Sequence, residues 1–290
     1  MSERKHLPQK TITVRNMDLS FEGIQKNHWF SDNPFATHFI NALHLIFPDG
    51  ERFFIRSVKQ FESKITADET KKRMKAFIGQ ETHHAKEHEK FVETLREQGY
   101  DPDTFLNFYK TLAFQIIEPI QNNTIGAKHS LAMTAALEHF TSILAEAAFE
   151  YKNWEKMPAP MRDLLLWHAG EEIEHKSVAY DIYEEAVGEY GTRIFGFLRS
   201  SVLLGLFTGA GFLYFVWKDK EKQAYTLENF GKAITELSVV FGGFAKDYFR
   251  YFAPDFHPDQ IENYEVAEKY FQSIAKKSES KINQKLENKE

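Results

Sequence analysis

The sequence predicts an all-α protein, a four-helix bundle made of two hairpins joined by a long crossover, with extra C-terminal helices. Three observations predict it. Apolar residues recur at helical spacing over long segments, and strand-like alternation is confined to TITVRNMDLSF near the N-terminus. Turn residues separate these segments at FPDG, at Gly99, around KMPAP and at Gly188 and Gly191. The tetrad Glu-x-x-His occurs twice, in QETHHAKEHEKF and in WHAGEEIEHKSVAYDIY, each inside a long helical segment.

Taken in order, residues 1–32 read as an irregular arm. A helix over 34–47 is interrupted by the turn FPDG, and a second stretch runs from Glu51 to about Lys64. Thr66 and Glu69 form a T-A-D-E capping box that opens a long helix over 67–98, stopped by Gly99. Residues 100–130 form the crossover, partly helical, with Pro119, the polar run QNNT and Gly126. The second hairpin pairs HSLAMTAALEHFTSILAEAAFEYKNW with a helix from Met161 to Val187. An apolar helix follows, then a helix over 227–249, the loop APDFHPD and a last helix. The expected organisation is an arm at 1–32, the bundle at 33–190, helices packing on it at 191–275, and a polar tail at 276–290.

Composition excludes several functions. The 290 residues carry a net charge of −6, and no basic run is interleaved with aromatics, so nucleic acid is not an expected partner. The absence of cysteine rules out disulfides, thiolate metal sites, iron–sulfur clusters and a cysteine nucleophile, so a metal must be held by His and carboxylate. Neither a phosphate-binding loop nor a G-x-S-x-G nucleophile elbow occurs. No apolar stretch follows the charged MSERKHLPQKTITV, which gives the expectation of a cytoplasmic protein. The 27 Phe imply a greasy interior or a wide apolar pocket. Between Arg199 and Lys218 lie 18 uncharged residues. A buried core helix or an oligomer interface, as in a homodimer, is the first reading of that segment, and membrane contact through 200–217 the second.

The chemistry lies in the repeated tetrads. On a helix, Glu81, His84 and His88 fall within roughly 60° of one another, and His168 shares the face of Glu172 and His175. A two-metal carboxylate site in a four-helix bundle needs two Glu-x-x-His helices and one Glu from each of the other two. In an antiparallel pair, facing residues are equidistant from the turn. Reflecting Glu81 through the turn near Thr66 lands on Glu51, and reflecting Glu172 through the turn at Glu155–Met157 lands within a few residues of Glu138. Ala135, Thr141, Ser142 and Ala145 beside Glu138 leave room for metals and substrate. The expected metal ligands are therefore Glu51, Glu81, His84, Glu138, Glu172 and His175. His88 and His168 are a further ligand or hydrogen-bond support for one. A rival motif, H-x-x-E-H at His84, Glu87 and His88, matches an inverted zinc-peptidase pattern but leaves Glu172 and His175 unexplained.

FPDGERFF, QETHHAKEHEKF, ALEHFTSILAEA, WHAGEEIEHKSVAYDIY and YFAPDFHPD resemble the bacterial family described as predicted metal-dependent hydrolases, over about residues 30–265. The resemblance implies a ferritin-like di-iron carboxylate fold, hydrolysis as the activity, and the same six ligands. The donor set implies two metal ions, with iron ranked first and manganese and zinc compatible. Two readings follow. An oxygen-dependent oxidoreductase acting on an apolar small molecule, served by a redox partner, ranks first because a Phe-rich bundle offers a dry site. A di-metal hydrolase is the alternative, and iron oxidation or storage ranks below both.

Overall fold

The computed structural model describes residues 11–24, 27–242 and 244–287, and contains no strand among them. Helices α1 (Pro34–Lys59) and α2 (Asp68–Glu97) form the first hairpin; α5 (Lys128–Glu150) and α6 (Ala159–His175) form the second. Between them run α3 (Pro102–Lys110), a π-helical stretch Thr111–Ile117 and α4 (Glu118–Thr124). After them come α7 (Val178–Ala186), α8 (Tyr190–Lys218), α9 (Leu227–Phe241), α10 (Phe244–Arg250) and α11 (Tyr264–Glu287). The two hairpins pack together through α1 on α5 and α2 on α6, so α1, α2, α5 and α6 close a ring. Helix α8 lies along α1 and α5, and α11 against α6. These contacts surround the region where the expected ligands meet.

Asn33 caps α1, its side chain accepting from the backbone N–H of Phe35 and Ala36, and Pro34 at the first turn needs no partner for the N–H it lacks. The FPDG turn does not form. Helix α1 continues through Pro48, which costs the hydrogen bond to His44 O. The helix survives because Leu45, Ile46, Pro48, Phe53 and Phe54 are buried on both sides of the proline, and their packing outweighs local turn propensity. The expected capping box is absent too. Ala67 is the N-cap of α2, and Glu185 of α7 accepts from Thr66 N, Thr66 Oγ1 and Ala67 N, a tertiary substitute for the local cap.

The helix expected over 161–187 breaks directly after His175. Lys176 is buried and donates to Ile261 O and, at 2.7 Å, to Asn263 Oδ1; Arg73 donates to Ser177 Oγ at 2.7 Å and pairs with Asp181. These ties fix the bend and hence the position of His175. The helix expected over 227–249 is also two, α9 and α10, and α11 extends through much of the segment expected as a polar tail. In the N-terminal arm, the strand-like stretch forms no strand; residues 1–10 and 25–26 lie outside the described residues.

Helix α8 turns apolar residues outward. Its outward residues are Gly191, Phe195, Leu198, Val202, Gly205, Leu206, Leu213 and Trp217, whereas its buried side includes Thr192, Arg193, Ser200 and Thr208. A core-helix reading of 200–217 therefore holds for one side only. By length and composition the helix is apolar enough to cross a membrane. Its inner side is held close to α5 at Gly196, where a Cβ would lie 2.9 Å from the Ala132 carbonyl carbon.

Candidate metal centre

All six expected ligands converge, and all are buried. Glu51 comes from α1, Glu81 and His84 from α2, Glu138 from α5, and Glu172 and His175 from α6. His175 Nε2 lies 3.2 Å from Glu81 Oε1, 3.1 Å from Glu138 Oε2 and 3.5 Å from Glu172 Oε2. His84 Nδ1 lies 3.7 Å from Glu81 Oε1 and 3.5 Å from Glu172 Oε1. Glu81 and Glu172 thus stand between the two histidines, while Glu51 and Glu138 flank them. Three donor groups have atoms within 4.8 Å of one another: Glu51–His84–His168, Glu81–Glu138–His175 and Glu81–His84–Glu172.

The surroundings fix which ring nitrogen faces inward. Gln80 Nε2 donates to Thr13 O and Glu174 Oε2, each at 3.0 Å, so its Oε1 is the atom left to accept from His175 Nδ1 at 2.9 Å. His175 Nδ1 therefore carries a proton, and Nε2 is the nitrogen that faces the carboxylates. His84 Nε2 donates to Glu171 Oε2 at 3.0 Å, and Arg15 holds Glu171 at 3.1 Å and Glu174 at 2.7 Å, which leaves the His84 Nδ1 lone pair facing in. Arg15 also lies over the Phe271 ring of α11, 3.4 Å from its centroid. The arm thus braces both histidines from outside, a role for Arg15, Gln80 and Glu171 that spacing alone does not reveal.

This geometry fits metal ions better than it fits hydrogen bonding. Both oxygens of Glu51, Glu81 and Glu138, His84 Nδ1 and His175 Nε2 are buried with no well-aligned hydrogen bond among the described residues. Two unit charges 4 Å apart repel by roughly 4 kcal/mol even at an effective dielectric of 20. Burial, then Glu172, pushes the Glu51 carboxyl well above its ordinary range; burial, then Glu138, does the same to Glu81. Glu138 is pushed up to about 7, again first by burial. Burial disfavours the His175 cation, yet Glu172 and Glu138 hold it well above its ordinary value, and His175 in turn depresses Glu172 against the effect of burial. Four carboxylates and two neutral imidazoles would balance two divalent cations, the arrangement that leaves no uncompensated charge.

His168 and His88 lie on the same side of the centre. His168 Nε2 is 2.8 Å from Glu172 Oε1 and 3.8 Å from Glu51 Oε1, and His168 Nδ1 meets His88 Nε2 at 2.8 Å. Behind them, His88 Nδ1 meets His44 Nδ1 at 2.7 Å. His44, seven residues before Glu51 and so on the same helical face, was legible by that spacing but is not singled out by any motif. Burial lowers His88 well below its ordinary value and His44 to about 3, so both rings are neutral. The rival peptidase motif is not assembled. Glu87 accepts from Leu19 N at 3.0 Å and from Lys90 at 2.9 Å, away from the His84 nitrogen that faces the centre. His139 donates to Asp247 O.

Two cavities reach the centre and share Leu43, Phe47, Thr141, Leu144, His168 and Glu172. The first continues between Phe54, Phe114, Ile117, Leu203 and Phe207; the second between Phe30, Phe39, Tyr151 and Trp154. Their walls are mainly apolar, and Thr141 donates to Glu172 at the junction. A separate donor group, His28, His38 and Asp219, is closed on itself. Asp219 Oδ2 accepts from His28 at 2.7 Å, His38 at 2.9 Å and Tyr225 at 2.7 Å, and Asn41 Nδ2 donating to His38 Nδ1 assigns the proton to His38 Nε2.

Comparison with curated proteins and with solved structures returned no match. A family described as predicted metal-dependent hydrolase matches residues 13–262, which span the arm from Thr13, both hairpins, the crossover and α8 to α10. With Glu and His from four helices gathered inside that span, the chain belongs to the predicted metal-dependent hydrolase family.

Proposed function

We propose that the chain is a two-metal enzyme that hydrolyses a substrate with a large apolar portion. The observation that carries this reading is the junction of both cavities at Glu172 and His168, beside the cluster of orphaned carboxylates. Glu51 and His84 would hold one metal, Glu138 and His175 the other, and Glu81 and Glu172 would serve both. Two divalent ions there would polarise the scissile group and supply a hydroxide nucleophile from water near neutral pH.

The chain's own residues do the rest. Gln80 and Glu171 bind the outer nitrogens of His175 and His84 and so turn the other ring nitrogen of each toward the metal positions. The Thr141 hydroxyl fixes one oxygen of Glu172. Phe47, Leu43 and Leu144 exclude bulk water where the cavities meet, which strengthens every charge interaction at the centre. The branched apolar space accepts an acyl or aryl portion and selects by length and width.

The family description supports hydrolysis, and the donor set is common to both reactions. A second reading, oxygen-dependent oxidation of the same class of substrate with iron in both positions, is favoured by one observation, the apolar walls around the metal positions, which suit reactive intermediates. One experiment separates them. Metal-loaded protein is offered 4-nitrophenyl esters of increasing acyl length, and the ferrous protein is mixed with oxygen in parallel. Ester turnover that rises with chain length and is lost in Glu172→Ala supports hydrolysis; oxygen uptake with new visible absorption and no ester turnover selects oxidation.

The outward side of α8 suits the same substrate class. Its stripe from Phe195 to Trp217 ends at Lys218, Lys220 and Lys222, an aromatic and basic border of the kind that rests on anionic lipid, and Leu203, Leu204 and Phe207 of the same helix line the first cavity. An apolar substrate held in a lipid surface would enter beside α8 without crossing water.

A further inference from the structure

We propose that His168 is a third imidazole ligand, so that the two metal positions are chemically unequal. The assignment rests on the two-metal reading above. One position would have His84, His168 and Glu51; the other would have His175 and Glu138; Glu81 and Glu172 lie between them.

The geometry starts at His168 itself. Its donor nitrogen lies within 4.8 Å of donor atoms of both Glu51 and His84, its ring centroid is 4.2 Å from that of His84, and Phe47 packs edge-on against it at 5.5 Å. A histidine can ligate only through a nitrogen that has no proton, so the second nitrogen must have somewhere to donate. His168 has that partner. Nδ1–H of His168 can donate to His88 Nε2 at 2.8 Å, and Nδ1–H of His88 to His44 Nδ1 at 2.7 Å. His44 Nε2–H ends the series with no hydrogen-bond partner among the described residues, and His44 lines the second cavity. With the proton on its Nδ1, His168 Nε2, which lies 2.8 Å from Glu172 Oε1 and 3.8 Å from Glu51 Oε1, is the nitrogen a metal between these carboxylates would take up in place of a proton shared with Glu172. Among the described residues, Glu138 is grouped with one histidine only, His175; Thr141 and Ser142 follow it on α5, and the Ser142 hydroxyl donates to His139 O.

Donor chemistry gives the consequence. The position with two imidazoles favours iron, zinc or other nitrogen-seeking ions, whereas the position with one imidazole and the same number of carboxylates accepts manganese more readily. The two metals should load and leave at different rates and, where both metals are present, sort between the positions. His88 acts as a positioning residue by fixing the His168 tautomer.

The test is metal retention, not activity. Protein loaded with zinc is challenged with a chromogenic chelator, and release is followed for the wild type, His168→Gln, His168→Ala and His88→Gln, with helicity checked by circular dichroism. The wild type should release two zinc ions per chain in two phases. Both His168 variants should lose the slow phase and retain one ion after gel filtration, and His88→Gln should accelerate that phase by tenfold or more. Two ions retained in His168→Gln with wild-type rates would overturn the assignment of His168 while leaving the two-metal reading intact. A wild type that binds fewer than two ions would overturn both.

Discussion

His175 Nε2 stands 3.2 Å from Glu81 Oε1, although 94 residues separate them, and this contact joins the tetrad of the second hairpin to that of the first. Around it, four buried glutamates crowd together. Isosteric neutralisation should therefore relieve the metal-free protein. Glu81→Gln or Glu138→Gln is expected to raise the melting temperature of the metal-free form by roughly 2–4 °C, about 1 kcal/mol for a domain of this size, while weakening metal binding. Calorimetry with and without metal checks this; a lower melting temperature in both variants would mean that the carboxylates stabilise the fold themselves.

Metal uptake should release protons. The Glu51, Glu81 and Glu138 carboxyls are raised by burial and by each other, and His175 by Glu172 and Glu138 against its own burial, so the metal-free centre holds protons at pH 7 that metals displace. Net proton release on metal binding is expected at pH 7, read from the dependence of calorimetric binding heat on buffer ionisation enthalpy. The sign for stability follows. A carboxyl whose pKa is higher folded than unfolded stabilises fully below its unfolded value, and that contribution is lost as pH rises through the folded value, about 7 for Glu138. The advantage of Glu138→Gln in the metal-free protein should thus grow from pH 5 to pH 8.

Leu144 borders both cavities where they meet. Leu144→Trp should fill that junction and lower kcat/KM for long apolar substrates by tenfold or more, with metal content unchanged. Equal loss for short and long substrates would point instead to a disturbed metal centre.

Val202 and Leu206 lie in the outward stripe of α8, both more than half exposed. Val202→Glu with Leu206→Glu should abolish sedimentation with phosphatidylglycerol-containing vesicles without altering thermal stability, because neither side chain is buried in the fold. Sedimentation unchanged by these charges would remove the lipid-surface reading, and a dimer that dissociates in the variant would assign the stripe to a second copy.

The six converging residues were legible because two kinds of regularity coincide. Glu-x-x-His places Glu81 with His84 and Glu172 with His175 on one helical face, and antiparallel pairing carries each glutamate across its turn to Glu51 and Glu138. What failed was local: the FPDG turn and the Thr66 box are sound by propensity, but Pro48 sits in a helix buried on both sides, and Glu185 reaches Thr66 from 119 residues away. What was missed had no period to reveal it. Arg15 lies in an irregular arm, and Gln80 and Glu171 are chain neighbours of the ligands, turned about 100° away on the helix, where they support instead of bind.

The central claim is that Glu81 and Glu172 stand between two metal positions. Elemental analysis of protein purified without a metal-binding tag, in the wild type and in Glu81→Ala and Glu172→Ala, tests it most directly. Two metal ions per chain are expected in the wild type, and neither ion in either folded variant. Two ions retained in either variant, or none bound by the wild type after loading, would contradict it.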